Sequence, residues 1–295
     1  MRTIKDLLTY LLYSALWRMV RLLPERMAYS LFDGIAGRAY RKNGKRITRL
    51  RDNYKQIRPS LSDTELEDLV RAGVSNAMRY WCDTFRISDW DRDRVISTVS
   101  TENNELLLNA VKSGQGLIIA LPHAGNWDHA GLYYCSQGIT VHTVAEHLRP
   151  ERLFQKFLQH RERMGMKVLD LEAKVTDELI TRLNEGELVA LVSDRDLSKN
   201  GIDVEFFGAN ARMPAGPALL AYRTNAHLIT AYVSYLKSGI KIKFSGPFKA
   251  LKDGDESYEI QRLTQELANQ FAKDIDEDLT SWHMQQKIFV DRKHI

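Results

Sequence analysis

Two cysteines in 295 residues, Cys82 and Cys135, are too few for a disulfide framework and point to a reducing, cytoplasmic setting. No proline-rich tract, low-complexity linker or internal repeat divides the chain, which reads as one domain with an N-terminal extension. HExxH and paired-cysteine patterns are absent, as is the HxHxDH spacing of metallo-β-lactamases, so metal binding is set aside even though His129 directly follows Asp128. Long apolar runs are missing too. LLTYLLYSALWRMVRLL, residues 7–23, is interrupted by Arg18 and Arg21 within the ~20 apolar residues that a spanning helix needs, and Ser14, Arg18 and Arg21 share one helical face. The segment reads as interfacial. A signal peptide fits poorly, because the apolar stretch runs into basic residues and Pro24 in place of a small-residue cleavage site.

Charge is nearly balanced at +4, yet unevenly placed: RAYRKNGKRITRLR, residues 38–51, holds seven Lys or Arg and no acid. Just before it, Pro24 opens a short helix with Met27, Leu31 and Ile35 on one stripe. An apolar helical hairpin followed by a basic block suits an anionic membrane surface, where each basic residue contributes ~1 kcal/mol. Helix-turn-helix, zinc-finger and RNP patterns are all lacking, so nucleic acid is not an expected partner. The chain therefore divides into docking helices over residues 1–55 and one continuous α/β core over 56–295, long enough to bury a substantial interior.

Within the core, Ser62 and Glu65 have capping-box spacing ahead of a helix whose Leu66, Val70, Val74, Ala77 and Trp81 form a packing stripe. TENNELLLNAVKSG makes a further helix ending at Gly114. Short aliphatic runs then recur at 116–121, 139–145, 166–171 and 188–192, with helix-length segments between them. That alternation predicts a mainly parallel sheet with helices on both faces. HLITAYVSYL and GIKIKFSG read as an antiparallel hairpin, and a last helix covers residues 256–276.

Open parallel sheets bind ligands beyond the carboxyl ends of their strands. Three polar residues stand there: His123 after GLIIALP, Glu146 after ITVHTVA and Asp194 after LVALVS. In LPHAGNWDHAG, the five-residue step from His123 to Asp128 places them on different helical faces, but a strand, loop, helix junction would fold the carboxylate back onto the imidazole. Such a pair is a general base with its orienting acid. The alternative is a hydrogen-bonded structural histidine beside an aspartate that favours the helix dipole. Arg161, in PERLFQKFLQHRERMG, falls within the apolar stripe of Leu153, Phe154, Phe157, Leu158 and Met164. A guanidinium turned to the core needs an anion, for which Glu146, Asp194 or a phosphate qualifies.

HAGNWD resembles the H-x4-D motif of the lysophospholipid acyltransferase superfamily, in the branch that includes the bacterial lipid A late acyltransferases. Together with TVAEHLRPERLFQKFLQHRERMG, SDRDLSKNGIDVEFFG, ARMPAGPALLA and SWHMQQ, in that order, the likeness covers most of residues 10–292 and is closest to the actinobacterial phosphatidylinositol mannoside acyltransferases. The resemblance implies a peripheral enzyme at the cytoplasmic face of the cell membrane that moves a fatty acyl group from acyl-CoA, palmitoyl-CoA for instance, to a sugar hydroxyl of a glycolipid, with no further cofactor. It makes His123 the catalytic base and Asp128 its partner, with Asp194 a second orienting acid. Glu146, Arg161, Arg195, Asp196 and Arg212 fall on substrate-binding positions, and Pro214 lies in the same block as Arg212. Ala124 departs from the small hydroxyl residue expected there, which puts one hydrogen bond in question.

The chemistry agrees with the residues. A sugar hydroxyl becomes nucleophilic as a base removes its proton, the thioester oxyanion can take N–H groups at the Trp127 helix start, and no serine or cysteine nucleophile is needed. An apolar groove between sheet and helices would house the acyl chain, and the CoA phosphates would meet the 38–51 block or Arg212. The rival expectations are a lipid A type reaction with an acyl-carrier protein donor, and a non-enzymatic lipid-binding protein that would tolerate loss of His123.

Overall fold

The computed structural model describes residues 2–290 apart from 146, 148, 171–174, 197–200 and 253, so Glu146 lies outside the described residues. Four helices lead the chain: α1 (Arg2–Leu22), α2 (Glu25–Lys42), α3 (Lys45–Ile57) and α4 (Asp63–Arg86). The expected capping box starts α4, with the Glu65 N–H donating to Ser62 Oγ at 3.3 Å and the Ser62 N–H to Glu65 Oε2 at 2.9 Å. Leu66, Val70, Val74 and Ala77 are buried along α4, while Trp81 is more than a third exposed and Tyr80 takes the inward position.

The three helices before α4 are unequally embedded. Leu50 and Tyr54 of α3 are fully buried in the main core, but α1 buries only Trp17 and Val20 among its described side chains. On α2 the buried face is Ala28, Phe32 and Ala36, so the stripe Met27, Leu31, Ile35 points outward. Leu8, Leu12 and Leu16 of α1 are exposed as well, whereas Arg21 is tied to Asp89. Trp17, Val20 and Arg21 thus seat α1, and its leucines are open to solvent. No helix among the described residues is long and apolar enough to cross a membrane.

Beyond α4 the order is α5 (Arg92–Ser97), β1 (Val99–Glu102), α6 (Glu105–Ser113), β2 (Leu117–Leu121), α7 (Trp127–Ser136), β3 (Val141–Ala145), α8 (Glu151–Arg163), β4 (Lys167–Asp170), α9 (Val175–Asn184) and β5 (Leu188–Val192). Then come β6 (Ile202–Phe206), β7 (Ala209–Met213), α10 (Gly216–Arg223), β8 (His227–Tyr235), β9 (Ile240–Phe248) and α11 (Glu256–Glu277). The seven-stranded sheet runs β1-β9-β8-β2-β5-β3-β4, parallel except for the antiparallel β8–β9 pair. Its two faces carry separate cores. Ile118, Ala120 and Val189 pack with Leu263 and Phe271 of α11, and on the reverse face Ile119, Leu121 and Val233 pack with Leu107 of α6 and Tyr134 of α7.

The strand expectations hold to within a residue or two, but β1 and the β6–β7 hairpin were not foreseen. β1, VSTE, is a four-residue edge with no buried residue, hence without alternation to read. The β6–β7 turn is Phe207–Gly208 with φ of 50° and 70°, a two-residue turn whose first position lacks the usual Asn or Gly.

Candidate active site

β2 and β5 are adjacent and parallel, with Leu117 opposite Leu188 and Leu121 opposite Val192. Continued past the strand ends, this register sets His123 opposite Asp194, 71 residues on. His123 Nδ1 lies 2.5 Å from Asp194 Oδ1, and the His123 N–H donates to Asp194 Oδ2 at 3.0 Å. Trp282 Nε1–H donates to the same oxygen at 2.8 Å. Asp194 is fully buried. Burial pushes its carboxyl up, but the attraction of His123 and the donated hydrogen bonds outweigh this and hold it below the ordinary carboxylate value. An ionised Asp194 can only accept, so Nδ1 carries the proton and the Nε2 lone pair is left for substrate.

Asp128 is elsewhere. Expected against His123, it instead receives Arg161 Nε–H at 2.8 Å and the Tyr80 hydroxyl at 2.9 Å. The reason is geometric: α7 begins at Trp127, and by its first turn the chain has rotated Asp128 away from the strand end toward α4 and α8. The same pairing answers the charge problem of Arg161, whose side chain is mostly buried. Burial disfavours its cation, but Asp128 more than compensates and drives the guanidinium pKa up. Its expected partners were Glu146, Asp194 or a phosphate; Asp194 is engaged by His123.

Gly125 shows why the loop reads HAGN. Its φ is +57°, and a Cβ there would stand 2.4 Å from the Val233 carbonyl oxygen. Ala124, where a hydroxyl residue was expected, is fully buried and bridges to Trp282. Asn126 caps α7 by accepting the His129 N–H at 3.0 Å, which leaves the Trp127 and Asp128 N–H groups as donors without intrahelical partners. The Trp127 ring stands edge-on to His123, with centroids 5.6 Å apart, and makes tilted contacts with Tyr80 and His283. His283, close to Gly125 O at 3.1 Å, has its pKa lowered to about 4 by burial and is neutral near pH 7.

His123, Asp128, Arg161, Arg195 and Asp196 all line one cavity of about 1120 Å³. This exceeds the ~300–1,000 Å³ of a pocket for one small ligand. Much of its wall is apolar, with Leu121, Ala190, Ala231 and Phe244 of the sheet and Tyr134 of α7 among the lining residues. Arg212 is not on this wall: it binds Asp203 at 2.7 and 3.1 Å across the β6–β7 hairpin, and its carbonyl accepts the Asp196 N–H. Pro214 does line the cavity.

The sequence profile described as bacterial lipid A biosynthesis acyltransferase matches residues 2–290. The chain belongs to that family. It is an acyltransferase. Over 277 residues, 93% of this chain and 89% of the relative, it is 36% identical to a phosphatidylinositol mannoside acyltransferase of Mycolicibacterium smegmatis. A protein of the same name from Mycobacterium tuberculosis is 34% identical over 284 residues, 93% of this chain and 86% of the relative.

Sequence reasoning had not foreseen the contacts of two residues of this candidate site. Tyr80 lies on a helix read as packing only, and its one signal was a tyrosine beside the apolar stripe. Trp282 belongs to SWHMQQ, whose distance from the H-x4-D loop along the chain conceals that it holds Asp194.

Proposed function

We propose that the protein transfers a fatty acyl group from acyl-CoA to a sugar hydroxyl of a phosphatidylinositol mannoside, working peripherally at the cytoplasmic face of the membrane. The observation that carries the reading is a histidine held at Nδ1 by an ionised acid, its Nε2 without a hydrogen-bond partner among the described residues, on the wall of a largely apolar cavity. His123 takes the proton of the acceptor hydroxyl as its oxygen attacks the thioester carbonyl. Asp194 keeps the Nε2 lone pair aimed outward and stabilises the imidazolium that forms. Collapse of the tetrahedral species expels the CoA thiolate, which recovers the proton from His123, so no acyl-enzyme is required. The first-turn N–H groups of α7, at Trp127 and Asp128, are the donors for the oxyanion. Arg161 and Asp128 neutralise each other and brace the helix start that presents those donors.

The names of the two mycobacterial relatives support the acceptor. The apolar wall from Leu121 to Phe244 supports a long acyl chain, since each buried CH2 contributes ~0.8 kcal/mol. Exposed leucines on α1 and the apolar stripe of α2, next to the basic block, support docking on an anionic surface. The test gives purified protein labelled palmitoyl-CoA and a panel of mannosylated phosphatidylinositols. Label enters a glycolipid with wild type and is lost with His123→Ala. Equal labelling by both proteins, or none on any glycolipid, would refute the reading.

A further inference from the structure

Beside the His123–Asp194 pair stands a set of donors that the transfer mechanism does not use. Arg195 lines the cavity, and its Nε and Nη1 atoms are shielded from solvent without a hydrogen-bond partner among the described residues. Ser193 lines the cavity too, 3% exposed, and its Oγ also lacks a partner among the described residues. The two residues flank Asp194, so that the carboxylate serves the imidazole while both neighbours face the substrate space.

A shielded guanidinium with unmade hydrogen bonds is costly, and it persists where a ligand supplies the missing acceptors. Arg161 in the same cavity illustrates the satisfied case, with Asp128 as its counter-ion. The acid nearest in sequence is otherwise occupied: Asp194 holds His123 and Trp282. Asp196, on the other side, acts on Arg212. Arg46, exposed at the cavity wall and without an ion pair among the described residues, adds a second cation.

We propose that Ser193 and Arg195 form a phosphate-binding site for one of the two substrates. Either edge of a planar guanidinium, Nε with Nη2 or Nη1 with Nη2, presents two parallel donors to phosphate oxygens, and a hydroxyl beside it offers a third. Arg195 brings a full positive charge with these donors, and a phosphate anion, charged already in the ground state, matches both the charge and the donors. On the acyl-transfer reading, on which the choice of ligand rests, both substrates bring phosphate: the nucleotide donor and the phosphodiester of the acceptor. The phosphate takes no part in bond making, so its binding is equal in ground and transition states and appears in KM.

Steady-state kinetics of the full chain with palmitoyl-CoA and a mannosylated phosphatidylinositol distinguish these sources when wild type, R195Q, R195K and S193A are compared. The companion substrates are S-palmitoyl-N-acetylcysteamine, a donor without phosphate, and a mannosyl diacylglycerol, an acceptor without phosphate. R195Q is expected to raise one KM about tenfold to a hundredfold, as loss of a charge-assisted hydrogen bond implies, with kcat changed far less. R195K restores part of the loss, and S193A shows a smaller rise in the same KM. The penalty vanishes when phosphate is removed from the substrate that brings it: with the thioester surrogate if CoA is the source, with the mannosyl diacylglycerol if the acceptor is. A penalty that survives both truncations, or a fall in kcat with unchanged KM, overturns the proposal. Should R195Q fail to fold, R195K and S193A carry the same comparison.

Wild type inert with every pair of substrates would instead sink the acyl-transfer reading. The phosphate site is then read from binding of inorganic pyrophosphate, followed by tryptophan fluorescence through Trp127 and Trp282. Wild type binds and R195Q does not if the site is real; no binding by wild type overturns it.

Discussion

Asp194 is the residue on which the proposed base depends. It accepts from the ring, the backbone and an indole at once, so replacing it by asparagine keeps the shape but offers an N–H where Nδ1–H needs an acceptor. The imidazole then turns its lone pair to the wrong side. D194N is expected to lower kcat about a thousandfold to ten-thousandfold with KM little changed, as measured by single-turnover labelling; a loss under tenfold would remove Asp194 from the mechanism. Asp128 predicts differently. Its carboxylate is buried against Arg161 and Tyr80, and R161M leaves it without its counter-ion, an omission that costs about 3–5 kcal/mol in urea unfolding. Y80F removes one hydrogen bond to a charge and should cost about 1.5–3 kcal/mol in the same assay. The sequence reading put both His123 and Asp128 at the site but joined them to each other. Proximity along the chain was visible, and the lateral order that sets β5 beside β2 was not. Once the 71-residue offset of that pair is known, Asp194 follows from register alone.

Among the elements, the strands of the large sheet after Gly114 were legible because each is an aliphatic run closed by a turn, and their helices because apolar spacing changes period. What the pattern could not supply was which small side chains leave room. Ala190 and Ala231 project from β5 and β8 on the α7 side of the sheet, where bulkier residues would close the cavity. Tyr134 and Phe244 share its wall, ring centroids 6.0 Å apart, with the Tyr134 hydroxyl fixed to Asn104 Oδ1 at 2.6 Å. If this passage houses the acyl chain, adding volume at Ala231 must shorten it. A231L is expected to shift the preferred donor to a shorter chain, each CH2 no longer buried lowering kcat/KM about fourfold, with thermal stability kept because the new side chain fills open space. A competition among acyl-CoAs of increasing length reads the shift, and an unchanged preference would place the chain elsewhere.

At the scale of the whole molecule, α1 covers α8 at Trp17 and His160. Their ring centroids are 4.9 Å apart. His160 and, behind the H-x4-D loop, His129 have their pKa lowered to about 4 by burial. Their unfolded forms take up protons from about pH 6.5 downward, so stability is complete above that value and declines as pH falls toward 4, each histidine removing ~1.4 kcal/mol per pH unit across that window. The urea midpoint should therefore drop between about pH 7.5 and 5, and H160Q should flatten the decline. While α1 is seated, it leaves Leu8 and Leu12 61% and 58% exposed, an expense in water that a lipid surface removes. The seven basic residues of 38–51 add attraction that salt screens. In vesicle sedimentation the protein should bind membranes rich in acidic phospholipid and come off as salt rises. L8E/L12E, which removes two buried leucines' worth of apolar contact, should weaken binding at least about a hundredfold without moving the thermal midpoint. Binding that resists both changes would mean that α1 and α2 turn their apolar side to some other partner, and the acceptor would have to reach His123 from another direction.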